Sequence, residues 1–200
     1  ISAPAAILVA LLMMPPAAGE AVTEGEEGIP EVLYDSTMDA LVRGTQDGLS
    51  LLLGIMASLI VFVALVALAK LALEPLTGLT LQKIAGWVLR PVAWAMGVPA
   101  PEAATVGASL GVKMVVNEFV SYLELAQSGG AGLSERSRLI LTYALCGFTN
   151  LGSIGIMAGG MTAMCPERRK DIVGLGFPAL VSGTIACCMT GAVVGVLTAP

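Results

Sequence analysis

The sequence predicts an all-α polytopic membrane protein, and three observations support this fold class. Of the 200 residues, 56% are hydrophobic and only 12% are charged, whereas about 25% of the residues in a soluble domain carry a charge. The 24 glycines and the low aromatic content, at 4%, suit helices that pack closely in lipid. Long uncharged stretches alternate with short charged ones, so the chain is best divided into membrane spans.

The first two segments are an apolar stretch and an acidic one. Residues 1–18 are uncharged and slightly shorter than the roughly 20 residues that cross a bilayer, which predicts the end of a transmembrane helix whose beginning is missing. Pro15 and Pro16 would stop this helix. Residues 19–47 carry most of the acidic side chains and are predicted to be an acidic loop with an amphipathic interfacial helix.

The next two segments are a span and a polar region. Residues 48–70 contain the uncharged stretch from Leu49 to Ala69 and are predicted to be a transmembrane helix. Residues 76–127 form a predicted re-entrant hairpin region, because the first part is short, amphipathic and interrupted by proline, and the second part is too polar to face lipid. The interrupting prolines are Pro91, Pro99 and Pro101.

The last two segments are both predicted to cross the membrane. Residues 135–165 follow Ser134, a candidate N-cap, and contain GFTNLGSIGIMAGG, whose glycines predict an unwound centre and hence a broken transmembrane helix. The charged turn CPERRKD comes next and lies in the cytoplasm by the positive-inside rule. Residues 171–199 are predicted to be the final transmembrane helix.

Glu118 is the most unusual residue in the polar region. A charged side chain at the centre of a bilayer costs about 2.5 to 3.5 kcal/mol on insertion scales, so it needs partners or water. We expect Glu118 to face a ligand. The alternative is an ion-paired structural network, in which Glu118 would share a helix face with Ser121 and Tyr122, and Lys113 would share one with Asn117.

The second polar cluster is CGFTNLGS, residues 146–153. If the helix unwinds here, the Asn150 amide and the Ser153 hydroxyl become hydrogen-bonding groups in a dry place. The alternative is that the glycines only allow close helix packing, and the residues alone leave both interpretations open. A carboxylate and an amide that face one gap would suit a small neutral ligand with several hydroxyls, such as a sugar or a nucleoside.

Several classes of function find no support in the sequence. The chain has no His and no CxxC pair, so zinc sites and His-based catalysis are unsupported, and no HExxH motif or paired carboxylates indicate an intramembrane enzyme. With a net charge of −5, the chain offers no basic face for nucleic acid. The four cysteines are predicted to be small buried residues.

Three stretches resemble, in order and spacing, the C-terminal half of concentrative nucleoside transporters. They are LTLQKIAGWVLRPVAWAMGVP, VGASLGVKMVVNEFVSYLEL and LSERSRLILTYALCGFTNLGSIGIMAGGMTAMCPERRKDI. The resemblance covers about residues 76–190, and its most specific pieces are NEF, CGFTN with Ser153, and PERRKD. It implies an elevator-type transporter fold with a re-entrant hairpin and a broken helix, truncated at the N-terminus.

The resemblance also implies a function and a set of site residues. The function is cation-coupled nucleoside uptake by secondary active symport. Glu118 would accept hydrogen bonds from ribose hydroxyls, Asn150 and Ser153 would contact the nucleoside, and Phe148 would line the pocket. No cofactor is implied, and the ligands of the coupling ion, Na⁺ or H⁺, would lie upstream of this chain, in a first hairpin that also contacts the nucleobase.

The expected surroundings are a homotrimer, with residues 48–70 in its scaffold, and the lipid bilayer of a bacterial inner membrane, which the chain would cross several times. Two alternatives compete with this reading. One is a fragment that does not transport, because the upstream hairpin is absent. The other is a membrane protein whose polar residues are structural.

Overall fold

Every element in the described part of the chain is helical. The computed structural model describes residues 2–16 and 34–198, and within these ranges it contains eight α-helices and one turn of 3₁₀-helix, Pro166–Arg168, but no β-strand. The α-helices are α1 (Ala3–Met13), α2 (Thr37–Thr77), α3 (Leu81–Ala95), α4 (Ala103–Val115), α5 (Glu118–Ser128), α6 (Glu135–Leu145), α7 (Leu151–Met164) and α8 (Arg169–Leu197).

Helix α2 joins two segments that the sequence pattern separates. It begins after Ser36, whose hydroxyl accepts a hydrogen bond from the Asp39 N–H at 3.1 Å, and it ends at Gly78, which has a φ of 66°. The structure therefore differs from the prediction of a separate interfacial helix before residue 48, because the capped helix continues without a proline until Pro75. The first part of the predicted acidic loop, residues 19–33, lies outside the described residues.

Helix α8 is the described helix whose length and hydropathy suffice for a membrane span. Its 29 residues extend about 43 Å at 1.5 Å per residue, more than the roughly 30 Å of a hydrocarbon core. Helices α1 and α4 and most of α7 are apolar but shorter. Helix α1 packs against α8, where the hydroxyls of Ser2 and Thr190 are 3.0 Å apart.

Helices α3 and α4 pack closely along their lengths. A Cβ atom on Gly107 would lie 2.9 Å from the Gly86 carbonyl oxygen, and one on Gly111 would lie 2.0 Å from the Ala85 Cβ, so both glycines permit the close approach. The prediction that Pro91 interrupts this region is wrong, since Pro91 lies inside α3. Proline removes one backbone hydrogen bond there, and the packing against α4 holds the helix together.

Helices α4 and α5 form a hairpin. The Ser121 hydroxyl on α5 donates to the Ser109 carbonyl on α4 at 2.9 Å. In one continuous helix, residues twelve positions apart would be about 18 Å apart. The chain therefore reverses between them, and the reversal lies at Val116 and Asn117, between the two helices.

Arg136, at the start of α6, ties three parts of the fold together. Its guanidinium donates to the carbonyls of Gly97, in the turn after α3, of Gly195 at 2.6 Å and of Thr198 at 3.3 Å. The last two carbonyls belong to the C-terminal end of α8, where a cation is favoured by the helix dipole. Arg136 therefore joins the start of α6 to the turn after α3 and to the C-terminal end of α8.

Candidate functional site

The first part of the site is the break between α6 and α7. Asn150 is the N-cap of α7, and its Oδ1 accepts a hydrogen bond from the Ser153 N–H at 2.8 Å. In return, the Ser153 hydroxyl accepts from the Asn150 N–H at 3.1 Å and donates to the Asn150 carbonyl at 2.6 Å. Both side chains are buried. This reciprocal capping box fixes the orientation of Asn150 by contacts within the chain itself.

The second part is the tip of the hairpin. Asn117 is the N-cap of α5, since its Oδ1 accepts from the Val120 N–H at 2.9 Å, and Glu118 is the first residue of the helix. The positive end of the helix dipole favours a carboxylate at this position. Because α4 ends at Val115 and α5 begins at Glu118, this carboxylate lies at the start of a new helix rather than in the middle of a long one.

The alternative of an ion-paired network is wrong for the described residues. Glu118, Ser121 and Tyr122 do lie on one helix, α5, but Lys113 and Asn117, which were expected to share a helix face, lie on opposite sides of the chain reversal. Between residues 34 and 198 the ion pairs are Arg43 with Asp39 and Arg168 with Asp171, all at solvent-exposed or partly exposed positions. Neither pair includes Glu118.

The two parts meet at one hydrogen bond. The Asn150 Nδ2 donates to the Glu118 Oε2 at 3.2 Å, so Glu118, Asn150 and Ser153 form a connected chain. The other carboxylate oxygen of Glu118 has no hydrogen-bond partner among the described residues, and the side chain is half-buried. An ionised carboxylate can accept several hydrogen bonds. The junction therefore retains acceptor capacity for a ligand hydroxyl.

Phe148 lies on the interrupted segment but in a different environment. It is 55% exposed and lines a cavity of about 710 Å³ between α7 and α8, together with Thr149 and Ser153. Glu118 and Asn150 do not line this cavity. The structure thus connects Glu118, Asn150 and Ser153 by hydrogen bonds. Phe148 has only the cavity lining in common with this group, and it shares that lining with Ser153.

Two further polar contacts, not expected from the sequence, attach the hairpin to the end of α6. The Lys113 Nζ donates to the Ala144 carbonyl at 2.8 Å, and the Tyr122 hydroxyl donates to the Thr142 carbonyl at 2.6 Å. Both carbonyls belong to the last turn of α6, whose acceptors have no partner within the helix. No side-chain pattern in the sequence points to either carbonyl as a partner.

The prediction of buried cysteines holds for two of the four. Cys187 and Cys188 are buried in α8, while Cys165 is partly exposed. The prediction is wrong for Cys146, which is exposed. Cys146 directly follows the last residue of α6, where regular helix packing stops.

Residues 1–195 match the family model described as the C-terminus of Na⁺ dependent nucleoside transporters. Among curated proteins, an uncharacterized transporter of Haemophilus influenzae is 37% identical over 97% of this chain and 49% of its own length. Sodium/nucleoside cotransporter 1 of Mus musculus is 35% identical over the whole chain and 34% of its own length. The chain therefore spans half or less of these relatives.

Solved structures of CNTnw are similar to this chain in fold. A CNTnw variant in the intermediate 2 state superposes with a TM-score of 0.84 and 37% identity, covering 98% of this chain and 49% of that one. CNTnw in an inward-facing substrate-bound state superposes with a TM-score of 0.66 and 38% identity over 84% of this chain and 43% of that one. The helical arrangement is thus similar to that of solved transporters over most of the chain.

Proposed function

Because the chain belongs to the concentrative nucleoside transporter family, whose members are membrane transporters and not enzymes, we propose that it is the C-terminal part of a cation-coupled nucleoside symporter. In this proposal the chain supplies the ribose-contacting half of the substrate site. The upstream part of the protein supplies the nucleobase contacts and the ligands of the coupling ion, Na⁺ or H⁺.

The observation that carries the proposal is the junction of Glu118 with Asn150. An acceptor from one helix start and a donor from another are placed 3.2 Å apart, and the donor, Asn150, is oriented by its capping box with Ser153. Vicinal hydroxyls both donate and accept, and a carboxylate beside an amide complements that pattern. Such convergent polar groups between interrupted helices are typical of transporter substrate sites.

Each site residue has a chemical role in this proposal. Glu118 accepts hydrogen bonds from ribose hydroxyls through its unpaired oxygen. Asn150 has a second amide hydrogen for the ligand, and Ser153 keeps Asn150 oriented through the capping box. Phe148 supplies apolar surface at the rim of the cavity that it shares with Ser153.

The remaining parts of the proposal concern assembly and location. The whole protein is a homotrimer in a bacterial inner membrane, with α2 in the scaffold. The hairpin and α6 to α8 belong to a transport domain that moves against it as an elevator. The contacts of Arg136 and of the hairpin support the grouping of the hairpin, α6 and α8, because they join these elements to one another.

Uptake by liposomes tests the proposal. The full-length transporter that contains this chain is reconstituted, and accumulation of radiolabelled uridine and adenosine is measured with an inward Na⁺ gradient, an inward H⁺ gradient or no gradient. We expect concentrative uptake of at least one nucleoside with one of the two gradients. Equal uptake under all three conditions would contradict symport, and no uptake of either nucleoside under any condition would contradict the proposed function.

A further inference from the structure

Lys113 is a buried cation to which the proposed mechanism assigns no role. Its side chain is 2% exposed, and its ammonium donates to the Ala144 carbonyl at 2.8 Å. Within residues 2–16 and 34–198, no carboxylate forms an ion pair with it. A buried charge without compensation is costly. The negative end of the α6 dipole, one residue beyond Ala144, is the compensating group that the structure provides.

The contact lies at the start of the break between α6 and α7. A Cβ atom on Gly147 would lie 3.6 Å from the Lys113 Nζ, so the ammonium reaches the first residues of the interrupted segment. Five residues later in the chain, Glu118 binds Asn150 at the other end of that segment. The hairpin tip therefore holds both ends of the break, with Lys113 at the α6 end and Glu118 at the α7 end.

We propose that Lys113 is a positioning residue for the nucleoside site. It fixes the C-terminal end of α6, from which the interrupted segment begins. In this way it determines the position of Asn150 relative to Glu118. Lys113 affects the position of Asn150 through this segment, and it need not touch the ligand. The role in binding rests on the proposed function, whereas the fixing of the segment does not.

Variants of Lys113 are chosen to remove or keep its hydrogen bond to the Ala144 carbonyl. Lys113→Met keeps most of the side-chain volume but leaves the Ala144 carbonyl without its donor. Lys113→Gln keeps an N–H donor on a shorter side chain, and it replaces the Met variant if that protein does not fold. The matched control is Lys83→Met, because Lys83 is an exposed lysine on α3.

Hydrogen–deuterium exchange tests the fixing of the segment in the full-length transporter without any nucleoside. In Lys113→Met, the amides of residues 146–153 are expected to exchange about tenfold faster than in the wild type, because the local opening of the break becomes easier. The Lys83→Met control should match the wild type. Unchanged exchange in the Lys113 variant would overturn the proposal.

A double-mutant cycle tests the link to the site. Lys113→Met is expected to raise the nucleoside dissociation constant about tenfold alone, but less than about twofold when Asn150→Ala is already present, because both changes then remove the same interaction. The same factor in both backgrounds would show that Lys113 does not act through Asn150, and would overturn the positioning role. If the wild type binds no nucleoside, the proposed function fails, and the exchange experiment still decides the effect of Lys113 on the segment.

Discussion

Glu118→Gln is expected to raise the dissociation constant for nucleosides by about two orders of magnitude in the full-length transporter. A hydrogen bond to a charged group contributes about 1.5 to 3 kcal/mol, which corresponds to about 10-fold to 150-fold in affinity. Glutamine has one acceptor oxygen instead of two, and its amide must also avoid placing a donor against the Asn150 Nδ2. Isothermal titration calorimetry in detergent measures the change.

Glu124→Gln is the matched control for this variant. Glu124 lies on the same helix, α5, but is exposed and has no place in the junction of Glu118 with Asn150. It should leave the dissociation constant within about twofold of the wild type, as surface substitutions usually do. If both glutamate variants bind nucleosides as the wild type does, Glu118 is not a substrate ligand.

Gly147→Ala is expected to lower both thermal stability and nucleoside affinity. The added Cβ would lie 1.9 Å from the Cys187 Sγ, so the interrupted segment or α8 must shift. Inserting a methyl group into a packed site costs about 1 to 3 kcal/mol. We expect a fall in the melting temperature of a few degrees and, because Asn150 follows on the same segment, a dissociation constant at least about tenfold higher.

Two further variants distinguish the steric clash with the Cys187 Sγ from a general effect of replacing glycine by alanine. Gly159→Ala adds the same methyl group where no heavy atom lies within 4 Å, and it should behave as the wild type. Adding Cys187→Ala to Gly147→Ala removes the sulfur atom and leaves the Cys187 Cβ position at an ordinary 3.5 Å, so it should restore most of the loss. Equal behaviour of the two glycine variants would refute the close contact.

Part of the fold could be predicted because it depends on local chemistry. The glycines of GFTNLGS favour an interrupted helix, and in the structure α6 ends at Leu145 and α7 begins at Leu151. Ser134 was predicted to cap α6, and its side chain accepts from the Ser137 N–H. These signals lie within a few residues of the feature that they determine.

The parts that could not be predicted depend on tertiary contacts. Spacing placed Lys113 and Asn117 on one helix face, because nothing in VKMVVNEF marks the chain reversal that Asn117 caps. The partners of Lys113 and Tyr122 are backbone carbonyls about 20 to 30 residues away, to which no side-chain pattern points. Pro91 was expected to break a helix that the packing of α3 against α4 holds together.

In the candidate site, too, the residue types could be predicted from the sequence, whereas their contacts could not. Residue chemistry singled out Glu118 and Asn150, and the structure joins them by one hydrogen bond. The reciprocal capping box with Ser153 orients the Asn150 side chain, whose Nδ2 donates to Glu118. Their contact with a nucleoside remains a prediction from the family resemblance and from the acceptor capacity that Glu118 retains.

The most direct test of this account pairs the Glu118→Gln variant with a ligand that lacks the ribose hydroxyls. Dissociation constants of a nucleoside and of its 2′,3′-dideoxy analogue are measured for the wild type and the variant. We predict that Glu118→Gln weakens binding of the nucleoside about 100-fold and of the dideoxy analogue less than about twofold, since the analogue has no hydroxyls for Glu118 to accept. An equal loss for both ligands would contradict the assignment of Glu118 to the ribose.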